Sequence, residues 1–408
     1  MHFKFTNFIN LTCLIVSICW LAIISTTLNQ DYDDFKQYWQ AAVNLRTTGN
    51  PFIALPDPDK APYVGYFYPP IFAYIVKPFG LLSQNQGQII WFILNSLSSI
   101  AFVFLCIIHG PSVLAKKYWG VVLLGFLVMP FSRLNLQLGQ ISVFMGLGMV
   151  GAFILARLRP WAAGLLLSLC IWIRIFPALL LLPLFKRRLW QSIIWTGGWG
   201  IGILVLSLGI YGIAPFQSFL QLTSAPPTPY PFAAEHNISI YGMLARLLSE
   251  TPFTAAPMIE ASWLITPLFL IGSSFIVFIC YWFDRNIEGL HSFTHLGMWL
   301  CGMMLISSTN GIYTLVLLLV SFLAILASYE QQPQRGLFIG LFICTLLIAI
   351  PPGWTKITPE LHVFMHTSWG LLFLTPAFYG LVGYMLLLIA VQTRKKEVPP
   401  LGSTSLYR

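Results

Sequence analysis

The chain has 408 residues, of which 22 are Lys or Arg and 13 are Asp or Glu, so only 9% are charged, against roughly 25% in an ordinary soluble domain. A hydrophobic fraction of 57%, a mean hydropathy of +0.78 and repeated long apolar runs exclude a soluble fold, because a membrane-spanning helix needs about 20 apolar residues. The formal charge of +9 would suit nucleic acid in a soluble chain. Here the basic residues sit in short clusters between apolar runs, as the positive-inside rule requires of a polytopic membrane protein, and no nucleic-acid partner is expected.

The run from Phe8 to Leu28 follows Lys4. It is too long for a typical signal-peptide core and has no small-residue cleavage site, so it reads as the first membrane helix. The seven cysteines all lie in apolar segments and read as packing residues rather than disulfides. Basic residues at 4, 116–117, 157–159, 186–188, 285, 335 and 394–396 can all share the cytoplasmic side. Asp31, Asp33, Asp34, Asp57, Asp59, Glu235, Glu250, Glu260 and Glu360 then fall outside. This arrangement places both termini inside and the loops 29–68, 213–260 and 353–366 outside.

After the first helix comes Asp31-Tyr-Asp-Asp-Phe-Lys-Gln-Tyr-Trp-Gln-Ala-Ala-Val-Asn-Leu-Arg46. Phe35, Tyr38, Trp39, Ala42, Val43 and Leu45 recur near helical spacing, which predicts an amphipathic helix lying flat on the outer face with Asp33 or Asp34 at its N-terminus. The spacing leaves two readings open. The acids either cap the helix, or one of them accepts a proton from an incoming hydroxyl, kept ionised by the helix N-terminus. A metal pair at Asp31 and Asp33 lacks a second carboxylate cluster to complete it, so no metal is expected.

Tyr63-Val-Gly-Tyr-Phe-Tyr-Pro-Pro-Ile-Phe-Ala-Tyr74 opens a short apolar element at 69–83 on two prolines, which suit a first helical turn. Its aromatics, Tyr68 among them, read as a sugar-stacking wall or as ordinary interfacial residues. Spans follow near 88–108, 190–212, 261–283, 293–309, 312–329, 336–352 and 367–391.

Between the basic clusters at 116–117, 157–159 and 186–188 the chain must leave the cytoplasmic side and come back. From Tyr118 to Ala156 it runs out, turns through the polar stretch Arg133 to Gln140, and returns. From Trp161 to Phe185 there is room for two helices of about 11 residues, each roughly 17 Å long, with Arg174 between them. Helix breaks bearing Arg and Gln are tolerated only where protein or a wet cavity surrounds them, so Arg133, Gln140 and Arg174 are expected to face a common cavity. The alternative is one full helix with a snorkelling Arg174, but Pro177 and Pro183 favour the break.

In the second outer loop, Glu235, His236 and Asn237 head an amphipathic turn that Asn237 or Ser239 can cap. Asn237-Ile-Ser239 also fits a glycosylation acceptor pattern. His291 with His295, and His362 with His366, share a spacing of four, but without a third ligand each pair reads as interfacial.

In order along the chain, Asp34-Phe-x-x-Tyr38-Trp-x-Ala-Ala, Gly49-Asn-Pro-Phe52, Tyr68-Pro-Pro-Ile-Phe-Ala, Gly139-Gln-Ile-Ser, Ile173-Arg-Ile-Phe-Pro177 and Asn237-Ile-Ser-Ile-Tyr-Gly-Met-Leu resemble glycosyltransferase family 87, membrane enzymes of the C-type fold that use a polyprenyl-phosphate hexose. The resemblance implies a hexosyltransferase of the cytoplasmic membrane with its active site on the outer face, moving a sugar, often mannose, from polyprenyl phosphate to a lipid or glycan acceptor. It implies Asp34 as general base of an inverting displacement, with no metal, nucleotide or other cofactor. Arg174, Arg133, Gln140 and Tyr313 become candidates for the donor phosphate and lipid, and Tyr38, Tyr68, Glu235, His236, Asn237 and Asn310 for substrate contact. Where the family carries Ser-Pro-x-Ser-Trp-x-His-His, this chain has Ser307-Ser-Thr-Asn-Gly-Ile-Tyr313, so either Asn310, Tyr313 or another residue stands in for the missing histidines or activity is altered.

The expected architecture is all-α, a polytopic membrane protein with about ten to twelve transmembrane or partly spanning helices and amphipathic helices in the outer loops. Residues 1–392 form one domain, followed by a basic cytoplasmic tail at 393–408. Two other functions fit the residues. One is a transporter or flippase that binds an anionic substrate through Arg133 and Arg174. The other is a non-catalytic relative of the enzyme family.

Overall fold

The computed structural model describes residues 2–28, 33–52, 66–224, 232–251, 254, 256–284, 290–351 and 353–394. Of the described residues 81% are helical, and none lies in a strand. Asp31, Asp57, Asp59, the Pro-rich 226–231 and the basic tail past Arg394 lie outside them.

Among the described residues, six helices are long and apolar enough to cross a membrane: Phe5–Ser25, Gln84–His109, Trp190–Tyr211, Ser262–Phe283, Ile312–Gln331 and Pro376–Thr393. Shorter apolar helices fill the spaces between them, including Ser142–Leu155, Pro160–Ile173, Phe293–Ile306 and Arg335–Ala349. The protein is therefore a multi-pass membrane protein. All seven cysteines are free.

Two excursions position the site. Trp119–Val128 runs parallel to the first helix, since Asn10 Nδ2 donates to the Lys117 carbonyl at 3.0 Å and, further along both helices, Trp20 Nε1 donates to the Leu127 carbonyl at 3.0 Å. The chain then bends by 64° into Pro130–Leu138. The bend falls where Met129 is held extended (ψ 140°) before Pro130, because a residue preceding proline is pushed out of the helical region. Gly139, with φ 69°, ends this bent helix in the left-handed conformation that glycine adopts without strain, and Ser142–Leu155 carries the chain back.

The second excursion turns at Arg174. Pro160–Ile173 ends there with Arg174 extended (φ −145°, ψ 138°), and a 3-10 turn and Leu181–Lys186 follow. Pro160–Ile173 and Trp190–Tyr211 run parallel: Ser192 Oγ donates to the Ala156 carbonyl at 2.7 Å, and Trp172 Nε1 reaches the Gly200 carbonyl at 3.1 Å. Two parallel helices joined by 174–189 require that link to retrace the first. Arg187 accordingly lies 5.1 Å from the Phe153 ring centroid, level with the start of the excursion. The stretch is the broken pair, not one continuous helix.

The bundle thus has two distinct ends. At one, the Arg187 guanidinium pairs with Asp284 at 2.7 Å, Trp299 Nε1 donates to the same carboxylate at 3.0 Å, and His295 Nδ1 lies 3.1 Å from it. His295 is buried, which corrects the interfacial reading of this histidine. At the same end, Glu330 accepts the Val113 and Leu114 amide N–H groups at 2.8 and 3.2 Å, capping the helix that bears Lys116 and Lys117. The opposite end carries Asp34, Gln140, Arg174 and the segments around Asn237 and Asn310.

Candidate active site

The helix Asp33–Thr48 was expected to rest its apolar side on the membrane. It buries that side in protein instead: Tyr38 meets Phe72, Tyr68 and Trp91 edge-on at centroid distances of 4.9, 5.3 and 5.7 Å. Phe35 stands edge-on to Phe79 at 5.8 Å. Edge-to-face rings add attraction beyond the area they bury, so the helix is anchored rather than floating and the position of Asp34 in its first turn is fixed.

The Asp34 carboxylate accepts a hydrogen bond from Gln140 Nε2. Gln140 is itself held by a buried frame. Its amide N–H donates to the Asn135 carbonyl at 2.9 Å, its own carbonyl accepts from Asn95 Nδ2 at 2.8 Å, and Trp91 Nε1 donates to the Gly139 carbonyl at 2.7 Å. Asn135 Nδ2 closes the frame onto Asn95 Oδ1 at 3.1 Å. Sequence reasoning missed Trp91, Asn95 and Asn135. The available signal was the pair of asparagines in apolar surroundings, since a polar side chain in a membrane helix is costly unless it has a partner.

Arg174 Nη2 donates to the Tyr68 hydroxyl at 2.8 Å, and the Tyr68 and Tyr38 hydroxyls are 3.0 Å apart. The guanidinium lies 5.3 Å from the Tyr68 ring centroid and 5.9 Å from that of Tyr313, within cation–π range. Burial, reinforced by Tyr68 and Asp34 and opposed by Arg174, holds the Tyr38 phenol well above its ordinary pKa, so it stays a neutral hydrogen-bonding group. Asp34, Gln140, Tyr38, Tyr68, Arg174 and Tyr313 therefore form one connected group drawn from five separate stretches of chain. Arg174 has no carboxylate partner among the described residues.

The remaining candidates fall outside this group. Arg133 is exposed and makes no hydrogen bond or ion pair with it, contrary to the expected shared cavity. Arg133 lies two positions from Asn135, so on a helix the two point about 200° apart, and Asn135 takes the inward face. Asn237 is buried, with both ends of its amide used: Nδ2 donates to the Phe232 and Ser308 carbonyls, each at 2.9 Å, and Oδ1 accepts from Ser239 N at 3.1 Å and Asn310 N at 3.3 Å. That burial also removes it as a glycosylation acceptor.

Ser239, not Asn237, caps Ile240–Leu248. Asn310 is buried and donates Nδ2 to the Met304 carbonyl at 2.9 Å. These contacts tie the 232–239 loop to 308–312 and so set where Tyr313 lies. Arg246, fully buried, secures the loop from beneath through bonds to the Ala234 and Asn237 carbonyls at 2.9 and 3.1 Å. Burial pushes its pKa down to about 10, with Tyr379 and Glu235 opposing the shift. Glu235 is half-buried and His236 exposed.

An anchored carboxylate one helical turn from a phenol that reaches, through a second phenol, a cation with no carboxylate partner among the described residues suits proton acceptance beside an anionic leaving group. The profile of glycosyltransferase family 87 matches residues 66–308, more than half of the chain and including Tyr68, Gln140, Arg174 and Asn237. The chain belongs to glycosyltransferase family 87. No curated protein matches it. Membership makes it a membrane glycosyltransferase that takes a sugar donor and an acceptor. Asp34 and Tyr313 lie outside the matched span, and the hydrogen bond from Gln140 and the ring of Tyr313 over Arg174 join them to it.

Proposed function

We propose that this family 87 glycosyltransferase moves a hexose, mannose foremost, from a polyprenyl-phosphate donor to a hydroxyl of a lipid or glycan acceptor, on the outer face of the cytoplasmic membrane. The observation that carries this reading is the hydrogen-bonded run from Arg174 through Tyr68 to Tyr38, with Asp34 one turn from Tyr38 on the same helix. Arg174 holds the donor phosphate, with Tyr68 and Tyr313 fixing its planar fork. The isoprenoid tail stays in lipid.

The acceptor oxygen attacks the anomeric carbon from the side opposite the phosphate, forming the new glycosidic bond with inversion. The bond from the anomeric carbon to the phosphate oxygen breaks and its electron pair leaves with polyprenyl phosphate, whose added charge Arg174 neutralises. The acceptor proton passes to Asp34. Glu235 and His236, on the loop paired to 310–312 beside Tyr313, meet the incoming acceptor.

The test is transfer of labelled mannose from polyprenyl-phosphate mannose by the purified protein in liposomes, with a membrane lipid extract as acceptor. Wild type transfers and Asp34→Asn does not, while the variant stays folded; retained transfer in that variant overturns the assignment of the base. Replacing mannose with glucose or galactose in the donor reads out sugar preference. For sidedness, His236→Cys in intact cells should react with a membrane-impermeant maleimide and Lys116→Cys should not.

A further inference from the structure

We infer that Gln140 is the positioning residue of the Asp34 base and not a ligand of the donor phosphate. The inference rests on the proposed transfer reaction. Three observations carry it. The Gln140 side-chain N–H donates to Asp34, on the acid side of the group, whereas the groups around Arg174 are the accepting hydroxyl of Tyr68 and the rings of Tyr68 and Tyr313. The Gln140 backbone is pinned at both its N–H and its carbonyl, and the carbonyl of Gly139 is pinned by Trp91. The amide therefore projects from a rigid support rather than from a mobile loop. Finally, Gln140 is buried, yet its Oε1 has no hydrogen-bond partner among the described residues.

An orphaned buried acceptor costs about 1–3 kcal/mol, and at Gln140 it belongs to the same amide whose N–H donates to Asp34. Here one end is used on a carboxylate and the other is left for a hydroxyl arriving at that carboxylate. The amide thus aims Asp34, favours its anionic form by donating to it, and offers an acceptor to the incoming alcohol. Among the described residues, the titratable groups that face Asp34 include Tyr38 on its own helix and Tyr313, with Tyr68 and Arg174 beyond Tyr38 and with Asp33 and Lys36 beside it in the same helix.

Gln140→Leu removes the donor at similar volume, and Gln140→Glu keeps the shape but sets a second acid against the first. In liposomes supplied with polyprenyl-phosphate mannose, both variants should lose about 100-fold in kcat while the donor KM stays within about twofold. A raised donor KM with kcat kept would make Gln140 a phosphate ligand and overturn the inference, as would unchanged kcat in both variants.

A second readout does not depend on turnover. Dicyclohexylcarbodiimide attacks protonated carboxyls, so mass spectrometry should find Asp34 labelled several-fold faster in Gln140→Leu than in wild type, and equal rates would refute the positioning role. If wild-type protein consumes no polyprenyl-phosphate sugar yet the labelling difference is present, the donor assignment falls and the positioning of Asp34 stands.

Discussion

Each end of this bundle holds an arginine belonging to the same retracing excursion, yet the two are built differently. The charge of Arg187 is met: Asp284 lies 2.7 Å from it, and Trp299 occupies the other carboxylate oxygen. Arg174 is held by phenols that orient it without cancelling its charge. A buried charge with a counter-ion is a finished structural element, whereas one oriented by neutral groups still attracts an anion. The contrast locates the site more sharply than the presence of either arginine, since residue type and helix break are common to both.

Experiments on the two ends should diverge accordingly. The largest effect is expected from Asp34→Asn, which should lower transfer about a thousandfold without changing the thermal unfolding of the detergent-solubilised protein. At the other end the pattern should reverse. Arg187→Met leaves Asp284 buried without its guanidinium partner and should cost about 3–5 kcal/mol of stability, read as a lower midpoint in thermal or denaturant unfolding, while the turnover of the molecules that remain folded is kept. Adding Asp284→Leu to that variant should recover much of the loss, because an apolar pair of similar volume replaces the ion pair; no recovery would mean that the Arg187 end is more than a structural closure.

Arg174→Lys keeps the charge but loses the fork, and should raise the donor KM about tenfold, the worth of one charge-assisted hydrogen bond. The smallest change belongs to Tyr38→Phe. It removes the link to Tyr68 and should slow transfer a few-fold, for about 1 kcal/mol. The pH profile sharpens this case. Since the Tyr38 phenol is held well above its ordinary value of 10.0, it remains neutral up to that pH. The variant should therefore leave the alkaline limb of the profile where wild type has it, and a limb displaced below pH 10 would contradict the assignment.

Much of this organisation was legible in the sequence because charge and proline mark topology directly. The basic clusters at 116–117 and 186–188 forced the chain to turn back between them, and Pro177 and Pro183 indicated where the second excursion breaks, so Arg174 could be placed at a turn before any coordinates. The pairing of Asp34 with Gln140 was not legible. The two are 106 residues apart, and nothing local to either encodes the other. Arg133 was misplaced for a different reason: a polar stretch was read as a unit, when the helical period sends Asn135 inward and Arg133 outward. Asn237 and Asn310 stood out as polar residues near a site, but only the three-dimensional pairing shows that their amides hold two loops together beside Tyr313.

The retracing excursion also limits how this wall of the protein can vary. Arg174 sits at the apex of an arm that begins at Pro160 and packs in register against Trp190–Tyr211. One residue inserted in that arm would swing the guanidinium by about 100° and raise it by roughly 1.5 Å, away from Tyr68 and Tyr313 together. Side chains along the arm can be exchanged, but its residue count cannot, so a thicker or thinner bilayer has to be met by other helices.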